Sequence, residues 1–106
     1  MSKVLMIEDD FDFAEIMLEC LHADPDCQVM EVITNQADAR FKMECTGMKD
    51  VDAVLVDLQL CRSKSDPRVN SSAGLEIISE MRVKYDFKGR VIVLTNSSSL
   101  TDGHKA

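Results

Sequence analysis

The sequence predicts an α/β domain built on a doubly wound parallel sheet, and three observations carry that prediction. Short apolar runs at 3–7, 28–34, 51–60 and 90–95 alternate with segments whose apolar residues recur at helical spacing. The run at 51–60, VDAVLVDLQL, is apolar at successive rather than alternate positions, as a strand buried on both faces is. Acids stand at the exits of two runs, Glu8, Asp9 and Asp10 after the first and Asp57 in the third. Ligands of open α/β sheets bind at the carboxyl ends of the strands, so both acidic groups fall where a site is expected.

Composition narrows the function classes. With 106 residues the chain has the length of one domain, 1–106, and its 45% apolar content supplies a core, aliphatic because it holds one Tyr and no Trp. A net charge of -7 argues against nucleic acid or an anionic membrane as a direct partner and suits a cation site. Cys20, Cys27, Cys45 and Cys61 show no metal-ligand spacing and read as reduced thiols of a cytoplasmic protein. No apolar run approaches the about 20 residues of a membrane span, and no signal peptide is apparent.

Taken in order, the first strand leads into three consecutive acids, which are costly together unless something positive sits among them. Asp12 with Glu15 has the spacing of a capping box, and Phe13, Ile16, Met17, Cys20 and Leu21 predict a buried helical stripe ending before Asp24-Pro25, with His22 in the last turn. Glu31 within the second strand predicts an edge position. Asn35 is the expected cap of a second helix with Ala37, Phe41, Cys45 and Met48 facing inward, Asp38, Arg40, Lys42 and Glu44 facing solvent, and Gly47 at its end. After the third strand the stretch from Cys61 to Gly74 is polar, and its length predicts a functional or mobile loop carrying Arg62, Lys64 and Arg68. Ser71 or Ser72 caps a third helix facing the sheet through Leu75, Ile78, Met81 and Tyr85, and Gly89 closes the connection to the fourth strand. A polar loop at 96–99 and the start of a fourth helix at 100–106 follow.

Right-handed crossovers bring Glu8, Asp9, Asp10, Asp57 and Thr95 to one sheet edge. Carboxylates from adjacent strand ends raise each other's pKa unless a cation joins them, and an oxygen-only set in a small open site suits Mg²⁺. A carboxylate can also attack phosphorus to give an acyl phosphate, and a hydroxyl such as that of Thr95 can bond a phosphoryl oxygen.

The motifs VLMIEDD at 4–10, VDAVLVDLQL at 51–60, GLEII at 74–78 and VIVLTNSSS at 91–99 stand in the order found in receiver domains of two-component response regulators, which the chain resembles over nearly its whole length. The resemblance implies a flavodoxin-like sheet of strand order 2-1-3-4 and a phosphorylation-operated signalling switch. It implies that Glu8 and Asp9 hold Mg²⁺ together with Asp57 and the backbone carbonyl of Gln59. Asp57 becomes the phosphoacceptor for a histidine kinase, a phosphotransfer protein or a small phosphodonor, Thr95 the switch hydroxyl and Asn96 the small residue beside it. Asp10 starts the helix rather than binding metal.

The sequence departs from the family in three places. No proline follows Leu60 directly, Pro67 being the nearest, and the glycine expected soon after the phosphoacceptor arrives only at Gly74, so an insertion lies beside the site. The basic segment 62–68 within it is expected to modulate donor access or partner choice. The family's fifth strand, with its phosphate-binding lysine, and the fifth helix have no counterpart, and Lys105 does not take the lysine's role. Either the 106 residues are a piece of a longer domain or a second chain covers the gap, and self-association through the open edge at 91–94 is expected. Two other readings compete with the switch. One is a receiver-like interaction module that signals without phosphate. The other, a Mg²⁺-dependent phosphohydrolase, is disfavoured because Gln59 stands where a second Asp is usual.

Overall fold

The computed structural model describes residues 2–94, so the segment 95–106, including the expected loop, the fourth helix and Lys105, lies outside the described residues. The elements are β1 (Ser2–Ile7), α1 (Phe11–His22), β2 (Cys27–Ile33), α2 (Gln36–Thr46), β3 (Ala53–Asp57), β4 (Leu60–Ser63), β5 (Asp66–Asn70), α3 (Ala73–Val83) and β6 (Arg90–Leu94). Four strands form a parallel sheet in the order β2-β1-β3-β6, and β4 and β5 form a separate antiparallel pair. The chain is therefore an α/β fold with a mainly parallel sheet, as the alternation predicts. None of the described helices is long and apolar enough to cross a membrane.

Helices cover both faces of the sheet because its central strands are apolar on both. Leu5 and Ile7 of β1 and Val54 and Val56 of β3 pack with Ala39 and Met43 of α2 and Ile77 and Met81 of α3. Their strand neighbours Val4, Met6 and Leu55 turn the other way and meet Ala14 of α1. β2 is an edge strand, as Glu31 predicts, and the exposed Glu31 carboxylate pairs with Lys42 at 3.4 Å. β6 pairs with β3 on one side, and Ile92 and Val93 are 44% exposed.

Three helical faces need correction. Asp10, not Asp12, is the N-cap of α1, its Oδ1 accepting from the Phe13 N–H at 3.1 Å. The helix thus starts directly after the acids, and its inward face is Phe13, Ala14, Met17, Leu18 and Leu21, with Ile16 and Cys20 turned outward. In α2 the inward residues are Gln36, Ala39 and Met43, whereas Ala37, Phe41 and Cys45 are exposed. The helix carries two apolar ladders at i, i+4 spacing on opposite sides, so periodicity alone favours neither. Packing against α3 and the sheet decides: Ala39 and Met43 join Ile77 and Met81 in the core, while Arg40, exposed as expected, reaches Glu80 at 3.1 Å and Glu76 at 3.8 Å across the surface. The cap Asn35 and the end at Gly47, in the left-handed conformation, are as expected, and Met48 is buried from the turn beyond. α3 buries Ala73, Gly74, Ile77 and Met81, Ile78 and Tyr85 pack partly, and Leu75 is 60% exposed. Ser72 sits at the cap position without a side-chain cap bond.

The segment after β3 is a hairpin rather than a loop. Leu60 pairs with Asn70, Cys61 with Val69 and Ser63 with Asp66 around a turn at Lys64 and Ser65. Each strand is short and mostly polar, so no alternating pattern marks it, and Pro67 is tolerated because β5 has a neighbour on one side only.

Gly74 fixes where α3 meets β3. A Cβ at this position would stand 2.4 Å from the Asp57 carbonyl oxygen and 2.4 Å from the Leu58 Cα, both backbone. The Gly74 N–H donates to the Leu58 carbonyl at 2.9 Å. Gly74→Ala is expected to cost roughly 3 kcal/mol, the upper range for overpacking, because neither backbone can yield. A lowered urea midpoint at unchanged m-value checks this, and an unshifted midpoint refutes it.

Candidate functional site

β1 and β3 are adjacent and parallel with Ile7 opposite Val56, so the next residues, Glu8 and Asp57, emerge side by side at the carboxyl ends. Asp9 follows immediately. One carboxylate oxygen from each of Glu8, Asp9 and Asp57 lies within 4.8 Å of the other two. Glu8 is 1% and Asp57 5% exposed, while Asp9 is half-buried.

Local hydrogen bonds aim these side chains. The Gln59 N–H donates to Asp57 Oδ1 at 3.1 Å, the Cys61 N–H to Asp9 Oδ2 at 3.2 Å and the Asp10 N–H to Glu8 Oε2 at 3.3 Å. Among the described residues Glu8 Oε1 is buried with no hydrogen-bond partner. Three acceptors converge on one another, and a hydrogen bond between Glu8 and Asp57 exists only while one of them holds a proton. Burial first, then that bond and the Asp57 charge, push the Glu8 carboxyl up to about 9. Burial and the Asp57 charge likewise raise Asp9.

This donor set fits a metal ion: all oxygen, three carboxylates within reach of one centre, and one buried oxygen without a partner among the described residues. Of the residues the sequence singles out, the structure brings Glu8, Asp9 and Asp57 together and places the Gln59 backbone against Asp57. Asp10 caps α1, as expected. Thr95 lies outside the described residues. Sequence reasoning missed Cys61, whose contribution is a backbone N–H and so leaves no mark on residue type. The small α/β structure, its mainly parallel sheet and this acidic cluster resemble a receiver fold. No family model matches the chain, and no curated protein matches it.

Proposed function

We propose that the protein is a phosphoacceptor switch of a two-component system, phosphorylated on Asp57 in a Mg²⁺-dependent reaction. The observation that carries this reading is the largely buried triad at the ends of two adjacent parallel strands, with Glu8 Oε1 unpartnered among the described residues. Glu8, Asp9 and Asp57, with the backbone carbonyl of Gln59, would hold the cation. When bound, Mg²⁺ supplies the positive charge that offsets both the carboxylates and the phosphoryl oxygens.

The chain's own part is positioning. With Oδ1 held by the Gln59 N–H, Asp57 presents its other oxygen to phosphorus in line with the donor. The new bond joins that oxygen to phosphorus, the donor–phosphorus bond breaks, and its electron pair leaves with the donor, giving an acyl phosphate. A histidine kinase, a phosphotransfer protein or a small acyl phosphate all supply such a donor. Thr95, two residues after the strand position paired with Val56, is the hydroxyl proposed to follow the phosphoryl group.

Incubation with Mg²⁺ and a small acyl phosphate, read by intact mass, tests the proposal. The expected result is a gain of one phosphoryl group, lost with EDTA and in Asp57→Asn. Mg²⁺ binding without any gain supports instead a phosphate-independent interaction module, a reading favoured by the hairpin that reaches the site through Asp9.

A further inference from the structure

The two fully buried acids and the half-buried one are held in different ways. Glu8 and Asp57 directly follow residues in register on β1 and β3, and the ladder fixes their backbones. Asp9 lies two residues beyond the end of that ladder, and its carboxylate is held by an element distant in sequence. β4 leaves β3, passes the end of β1 and reaches the end of β2. There Cys61 bridges Asn35, its Sγ donates to the Thr34 carbonyl at 3.4 Å, and its N–H donates to Asp9 Oδ2 at 3.2 Å.

The rest of the hairpin is tied down around this point. Leu60 is fully buried in the core shared with α2 and α3. Asn70 Nδ2 donates to Gln36 Oε1 at 3.2 Å and Glu76 Oε2 at 2.9 Å, and its Oδ1 accepts from the Ser72 N–H at 3.0 Å. Lys64 reaches Asp38 at 3.6 Å. The hairpin is thus fastened to the first turns of both helices on that face and, between those ties, to one acid of the cluster.

We infer that the β4–β5 hairpin is a positioning element for the cation site, its Cys61 N–H holding the Asp9 carboxylate toward Glu8 and Asp57 while Asn70 keeps Cys61 in place. This rests on reading the triad as a Mg²⁺ site. Groups that orient metal ligands without touching the metal commonly govern affinity about 10- to 100-fold. Coupling of this kind is reciprocal: if the docked hairpin tightens cation binding, the bound cation tightens the hairpin by the same factor. A hairpin that merely stabilised the fold would leave affinity unchanged and gain no more protection from the cation than the amides of α3 and the sheet.

Mg²⁺ titration by calorimetry and hydrogen exchange of the hairpin amides test the inference together. In the wild type, saturating Mg²⁺ should slow exchange at 60–70 by a larger factor than at the amides of α3. Replacing 62–69 with two glycines should weaken Mg²⁺ about tenfold or more, and Asn70→Asp, which removes the donors to Gln36 and Glu76, should weaken it less. Unchanged affinity in the folded variants, or wild-type hairpin exchange slowed no more than that of α3 by saturating Mg²⁺, overturns the inference. The exchange measurement needs no variant, so it decides even if the excised chain does not fold. A wild type that binds no Mg²⁺ defeats the reading of the triad itself, and the positioning role with it.

Discussion

Asp57→Asn is expected to stabilise the metal-free protein while ending phosphoryl incorporation. Asp57 and Glu8 are both buried, and without a cation the fold keeps them together by holding on Glu8 a proton that an ordinary carboxyl would release at neutral pH. An amide at 57 keeps the oxygen that receives the Gln59 N–H and adds an NH₂ beside Glu8. A charge that helps to hold the proton on Glu8 disappears from a dry site, and the amide supplies a donor in that proton's place, so Glu8 ionises in the fold at less cost. The expected gain is about 2 kcal/mol, several degrees in Tm for a domain of this size. Thermal unfolding in EDTA should show it. With saturating Mg²⁺ the order should invert, because the wild type alone then gains from the cation. A variant less stable than the wild type in EDTA would mean that the triad is not a site of charge repulsion.

The second large effect is a fall in metal-free stability as pH rises. Glu8 has an ordinary pKa of 4.5 and is raised to about 9 in the fold. Between those values the folded protein keeps a proton that the unfolded chain has released, so stability decreases with pH across that window. The slope for this one group is at most about 1.4 kcal/mol per pH unit, and Asp9, also raised, acts in the same direction. Bound cation requires the deprotonated carboxylates, so saturating Mg²⁺ should flatten the slope or reverse it. Urea midpoints at about pH 6 and about pH 8.5, in EDTA and in Mg²⁺, give all four values. A flat profile in EDTA would remove the proton from Glu8, and an unaltered profile in Mg²⁺ would remove the cation.

Both effects follow from residues that the sequence alone had already placed at the strand ends. That much was legible because a strand exit is a local feature: an apolar run stops, an acid follows, and parallel neighbours bring their exits together. The cap at Asp10 was half legible. Its role as a helix-start residue was expected, but the capping box at Asp12 and Glu15 drew the helix start two residues too late, and the inward face of α1 shifted with it. In α2 the Ala37, Phe41, Cys45 ladder and the Ala39, Met43 ladder are equivalent to any reading of spacing. The hairpin was illegible because its strands carry few apolar residues and a proline.

The sequence by itself determined the order of the four parallel strands and three helices and the burial of the central strands on both faces, which depend on residues close together in the chain, and the convergence of Glu8 and Asp57, which follows once those strands run parallel through right-handed crossovers. Only the tertiary structure decided which side of α2 faces inward, that 60–70 fold back on themselves, and that the Cys61 N–H reaches Asp9. Those outcomes depend on contacts between segments far apart in sequence. They are made by backbone groups every residue has and by polar side chains whose partners no local pattern names.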